Sequence, residues 1–161
     1  MNTATQNNYF RSSIREGSTG EDVKDLQKVL NATVAEPKLL VDGIFGAKTK
    51  QALIAYQKKN SLSADGIVGA ITWVYIDYAA TYRKSVNDLP TLKLGSRSAD
   101  VTYLQYELNR YFLNDIGSIV INGIFGEETK NTVIDFQKQY NLTVDGIVGN
   151  QTWAKLKSII V

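Results

Sequence analysis

The sequence predicts an all-α protein made of two tandem three-helix modules joined by a short connector. Three observations lead there. The chain is written twice: over residues 42–73 and 122–153, 17 of 32 positions are identical at an offset of 80. Apolar residues inside each copy recur at helical spacing. Ten of the twelve glycines fall into five matched pairs, Gly17/Gly95, Gly43/Gly123, Gly46/Gly126, Gly66/Gly146 and Gly69/Gly149, which punctuate the helical stretches. A repeat of this length is too long for a solenoid unit, so tandem small domains are the expected arrangement.

The elements follow in order. A tail, residues 1–13, precedes module 1, residues 14–76. Val23, Leu26 and Leu30 lie at i, i+3 and i+7 and mark helix 1, with Ser18 and Glu21 spaced as a capping box. The second copy repeats this stripe as Val101, Leu104 and Leu108 at an offset of 78, with Ser98 as the expected N-cap. Helix 2 is expected from Ala47 to Lys59, its inner face carrying Thr49, Ala52, Leu53 and Tyr56, repeated as Thr129, Thr132, Val133 and Phe136. An Asp-Gly-Ile-Val-Gly turn leads to helix 3, opening at Ala70 or Asn150 and carrying Trp73 or Trp153. Residues 77–91 read as the connector, ending at Pro90, because the residue before proline disfavours the α region. Module 2 is then residues 92–161. Modules of this size bury only about 60% of their unfolded surface and are marginal alone.

Composition narrows the chemistry. The 161 residues include no histidine and no cysteine. Thiolate nucleophiles, imidazole bases and Cys/His zinc sites are therefore excluded, and no metal or cofactor is expected. The net charge of +2 is spread evenly, which argues against a nucleic-acid partner. No run approaches a membrane span and the first residues lack a secretory apolar stretch, so neither a membrane partner nor a signal peptide is expected.

With its L-Q-x-x-L helix, D/N-G-I-F-G-x-x-T turn, Y/F-Q helix and D-G-I-V-G-x-x-T-W ending, each copy resembles the type 1 peptidoglycan-binding domain found beside catalytic domains in bacterial and phage cell-wall hydrolases. The resemblance covers residues 14–76 and 92–158. It implies a three-helix fold and noncatalytic attachment to the murein wall, with peptidoglycan as ligand and a cell-wall hydrolase or phage structural proteins as partners. Action would be at the bacterial cell wall after lysis or within a phage particle. Asn122 for Asp42, and Thr132 for Ala52, set the copies apart. A structural component of a phage particle or injection tail, using the same modules for protein contacts, is the alternative, and the targeting part of a separated endolysin a third reading.

No catalytic residue is expected. Asp22/Asp100 and Asp65/Asp145 are the matched carboxylates, at a helix start and in a glycine turn, where structural roles suffice. A muramidase pair of Glu107 and Asp115 would be unmatched. Phe45/Phe125 and Trp73/Trp153 read as core. The ligand-binding candidates are Gln27, Lys50 and Gln57 with their counterparts Gln105, Lys130 and Gln137, because an amide can bond peptide or N-acetyl groups and an ammonium can meet a stem-peptide carboxylate. The same glutamines could instead cap loop backbone. Tyr75, Tyr78 and Tyr82 form a stripe into the connector, and Tyr103 and Tyr106 point away from their helix's apolar face; a tyrosine-lined contact between modules, or glycan stacking, is expected of these five.

Overall fold

A computed structural model describes residues 10–112 and 119–159. Among them are six α-helices: α1 Glu21–Thr33, α2 Ala47–Lys59, α3 Ala70–Tyr82, α4 Ala99–Tyr111, α5 Glu127–Gln139 and α6 Asn150–Ile159, with one 3-10 turn at Val86–Asp88. Among the described residues extended structure is limited to isolated bridges, two in each copy: Ile14 with Val68 and Thr19 with Ile44, then Leu92 with Val148 and Arg97 with Ile124. The all-α fold class is therefore correct.

The described residues divide into an N-terminal unit, residues 11–79, and a C-terminal unit that begins at residue 80 and takes in Phe10. The boundary falls inside α3, which runs through the first residues of the span read as a connector. The rest of that span belongs to the C-terminal unit, because Leu89 is buried and the Pro90 carbonyl accepts a hydrogen bond from Trp153 Nε1 at 2.8 Å. The expected tail also ends sooner than residue 13. Residues 1–9 lie outside the described residues, but the Ser12 carbonyl already accepts from Trp73 Nε1 at 3.0 Å.

Each core is built from the predicted stripe. Val23, Leu26, Leu30, Phe45, Leu53 and Trp73 fill the N-terminal unit, and Val101, Leu104, Leu108, Phe125, Val133 and Trp153 fill the C-terminal one, all almost fully buried. Helix starts differ from expectation at one place. Ser98 caps α4, accepting from the Val101 N–H, but Ser18 does not cap α1. Its hydroxyl accepts from the Arg15 N–H at 3.0 Å and Gly20 takes the N-cap, while Glu21 turns to Lys24 at 2.6 Å. That exposed pair holds the Glu21 carboxyl below its ordinary range. Among the described residues no helix is long and apolar enough to cross a membrane.

Candidate functional site

The segments between helices are held by one device used four times. Gln27, on α1, projects its amide into the loop 42–49. Its Nε2 donates to Asp42 Oδ1 (2.9 Å), the Ile44 carbonyl (3.1 Å) and Thr49 Oγ1 (3.4 Å), and its Oε1 accepts from the Gly43 N–H (3.0 Å). Gln57, on α2, does the same to the loop 65–72, meeting Asp65 Oδ1, the Ile67 carbonyl, Thr72 Oγ1 and the Gly66 N–H at 3.1, 2.9, 3.4 and 3.0 Å. In the C-terminal unit Gln105 clamps Asn122, Gly123, Ile124 and Thr129, and Gln137 clamps Asp145, Gly146, Ile147 and Thr152. The clamped glycines have φ between 69° and 74°, which a residue with a Cβ adopts only with strain.

These contacts correct the expectation for Gln27, Gln57, Gln105 and Gln137. All four are 1–2% exposed and their donors and acceptors face loop atoms, so they hold the fold and do not present themselves to a ligand. The signal for this was in the sequence: DGIFGAKT, DGIVGAIT, NGIFGEET and DGIVGNQT are variants of one octapeptide, and each has a glutamine upstream. Comparing the copies only at an offset of 80 hides the repetition inside each copy.

The carboxylates of the loops are engaged in the same way. Asp42 Oδ1 accepts from Gln27 and from the Ile44 N–H at 2.9 Å, and these bonds hold its carboxyl below the ordinary aspartate range. Asp65 and Asp145 accept from Ile67 N–H and Ile147 N–H at 2.9 Å each. Asp22 pairs with Arg11 at 3.5 Å, and Asp100 is buried, accepting from Thr81 Oγ1 at 2.9 Å and Lys84 Nζ at 2.7 Å. Glu107 is only 2% exposed, with Arg110 at 3.7 Å; Asp115, its suggested partner, lies outside the described residues. Among the described residues no cluster of acidic side chains could hold a metal.

What the clamps leave outside is different in kind. Lys50 and Lys130 are half-buried and lie along the glycine of the second clamp, where a Cβ on Gly66 or Gly146 would meet the lysine Cγ at 3.0 Å. Lys50 Nζ is tied to Glu16 at 3.0 Å. Leu94 stands where Glu16 does, and Lys130 has no ion pair among the described residues. The isoleucine after three of the clamped glycines faces outward, Ile44 at 56% and Ile67 and Ile147 at 37% exposure, and Ile124 is half-buried, whereas the next residue, Phe45, Val68, Phe125 or Val148, is inside. Sequence reasoning passed over these isoleucines, although adjacent apolar residues in an extended turn cannot both point inward.

The tyrosines separate. Tyr103 is fully buried in its own unit, 6.1 Å from the Trp153 ring, which corrects its reading as an outward residue. The polar neighbours of that helix face explain it: Lys157 Nζ lies 5.6 Å from the Tyr103 ring and donates to the carbonyls of Tyr82 and Lys84, and burial pushes its ammonium below the ordinary lysine range. Tyr75, Tyr78 and Tyr106 are half-buried, and Tyr82 is exposed.

Two depressions adjoin this machinery. One, of about 330 Å3, lies between residues 34–39 and the Lys48, Gln51, Ala52 and Ala55 face of α2. The other, of about 250 Å3, lies at the start of α6 beside the Gln137 clamp. The doubled three-helix unit with four clamped D/N-G-I-x-G-x-x-T loops matches the peptidoglycan binding domain over residues 19–75 and again over 97–156. The chain belongs to this family. Its relatives include the N-acetylmuramoyl-L-alanine amidase CwlL of Bacillus licheniformis, 33% identical over 91% of this chain and 46% of the amidase. A spore cortex-lytic enzyme of Bacillus cereus is 33% identical over 74% of the chain and 48% of the enzyme, and the zinc D-Ala-D-Ala carboxypeptidase of Streptomyces albus G is 40% identical over 40% and 26%. The chain spans less than half the length of these curated relatives. Both units are thus peptidoglycan-binding domains.

Proposed function

We propose that this chain binds peptidoglycan without cleaving it and holds a cell-wall hydrolase on its substrate. The observation that carries the reading is that the carboxylates recurring in both units are tied into the fold: Asp65 and Asp145 in clamps, Asp22 and Asp100 in polar contacts of the helix starts. General acid and base chemistry needs carboxyl groups that reach a substrate, and the duplicated features here serve the scaffold instead. The relatives named for amidase, carboxypeptidase and cortex-lytic activity extend well beyond the matched region, which supports a division between holding and cutting. Two weak sites on one chain gain about 10²–10⁴ in avidity when both reach the polymer.

The test is cosedimentation of the purified chain with sacculi of several wall types, followed by assay of the supernatant for soluble muropeptides. Pelleting without release is expected. Failure to pellet with every wall type would remove the binding reading, and release abolished by Glu107→Gln would remove the noncatalytic one.

A further inference from the structure

The pocket at the start of α6 is lined by Thr143, Asp145, Ile147, Asn150 and Gln151, with the Gln137 and Thr152 pair of the clamp behind them. Its volume, about 250 Å3, is below the range that takes a drug-sized molecule and suits a single sugar ring. Thr143, Asn150 and Gln151 are exposed, and their side chains make no hydrogen bond among the described residues. They offer a hydroxyl and two amides, which can both donate and accept. Ile147, 37% exposed, supplies an apolar surface beside them. No cation lines the pocket, and Asp145 disfavours a carboxylate there. This chemistry fits a neutral ligand rich in hydroxyl and amide groups better than an anionic peptide end.

The N-terminal unit has the same loop and not the same lining. Ser63, Asp65 and Ile67 correspond to Thr143, Asp145 and Ile147, but Ala70 and Ile71 stand where Asn150 and Gln151 do, and Ile71 is largely exposed. An amide-bearing rim thus exists in one unit only.

We infer that the C-terminal unit carries a subsite for one N-acetylated sugar of a glycan strand at the start of α6, and that the N-terminal unit lacks it. The inference rests on the peptidoglycan-binding reading and assigns the chemistry of one of its sites. The full chain is titrated with a soluble β-1,4-linked N-acetylglucosamine oligomer and, separately, with a free stem tetrapeptide, following amide NMR shifts. The oligomer is expected to move residues 143–151 and leave 63–71 in place. The double variant Asn150→Ala, Gln151→Ile, which copies the α3 opening on an exposed surface, is expected to weaken oligomer binding roughly tenfold, with the rest of the amide spectrum unchanged. Absence of shifts at 143–151, shifts there from the tetrapeptide in place of the oligomer, or undiminished binding by the double variant would overturn the inference. Sacculus pelleting separates the two levels: a chain that pellets but ignores the oligomer loses this subsite and keeps wall binding, and one that binds the oligomer without pelleting does the reverse.

Discussion

The two units close around their tryptophans with different chemistry. In each, the indole N–H donates to a carbonyl of the preceding segment, Ser12 for Trp73 and Pro90 for Trp153, so Arg11 and Leu89 occupy the same station. Arg11 places its guanidinium 4.5 Å from the Trp73 ring and reaches Asp22, Asp25 and Asp77 at 3.5, 3.2 and 3.5 Å. In the C-terminal unit the counterparts of Arg11, Asp25 and Asp77 are Leu89, Tyr103 and Lys157. Tyr103 stacks toward Trp153 and Lys157 caps it, while Asp100, the counterpart of Asp22, turns to Thr81 and Lys84. The fold thus demands the indole and its hydrogen bond. Its surroundings can be ionic or aromatic provided they change as a set, because a lone buried charge left by a single change is costly.

The clamps keep their glutamine, glycine, isoleucine and threonine in both units, and breaking one should have the largest effect. Gln57→Ala or Gln137→Ala leaves a glycine N–H, an isoleucine carbonyl and a threonine hydroxyl without their partner, at a cost of about 2–4 kcal/mol. Urea unfolding can follow it, since Trp73 and Trp153 provide one buried probe per unit, each read by its own indole N–H resonance. A loss below about 1 kcal/mol would show that the clamp is not the common element of the two units. Next in size is Arg11→Leu, which takes the guanidinium away from Asp77, itself 1% exposed, at a cost of about 2–3 kcal/mol. Adding Asp25→Tyr and Asp77→Lys should recover part of that loss by transplanting the C-terminal set. If the triple variant is no more stable than the single one, the two corners are not interchangeable.

The helices and the core were legible because each carries its own periodic stripe, and α2 begins and ends where its pattern does. The end of α3 was not, since Tyr75, Tyr78 and Tyr82 extend a helical stripe past Asp77 and only long-range contacts decide which unit owns it. The glutamines were recognised as recurring but misplaced in role: an amide looks the same in sequence whether its partners are a ligand or a loop. Arg11 was invisible, because its three acidic partners lie 11, 14 and 66 residues away and its counterpart is a leucine.

A smaller difference concerns the lysines beside the second clamps. Lys50 is neutralised by Glu16, whose counterpart in the C-terminal unit is the uncharged Leu94. Lys130→Ala should weaken sacculus binding about two- to fivefold, the scale of an exposed charge contact, and Lys50→Ala should do less. Equal effects would mean that the ion pair does not set the two units apart.

The smallest effect is confined to acid and concerns Asp42 against Asn122. Both side chains accept from a glutamine amide and from an isoleucine N–H, at 2.9 and 2.9 Å for Asp42 and 3.2 and 3.0 Å for Asn122. Only Asp42 can take up a proton. Its folded carboxyl is held below the ordinary value of 3.8, chiefly by Gln27 and then by the Ile44 N–H, so the unfolded chain binds a proton more readily than the folded one. Its contribution is therefore fully present above pH 3.8 and is lost as pH falls through the lower folded value. Asp42→Asn should flatten the acid limb of the transition reported by Trp73 and change neutral stability little, and Asn122→Asp should add such a limb to the transition reported by Trp153. An acid limb that survives Asp42→Asn unchanged would place the pH sensitivity of the N-terminal unit elsewhere, with the Arg11 cluster as the next set of carboxylates to remove.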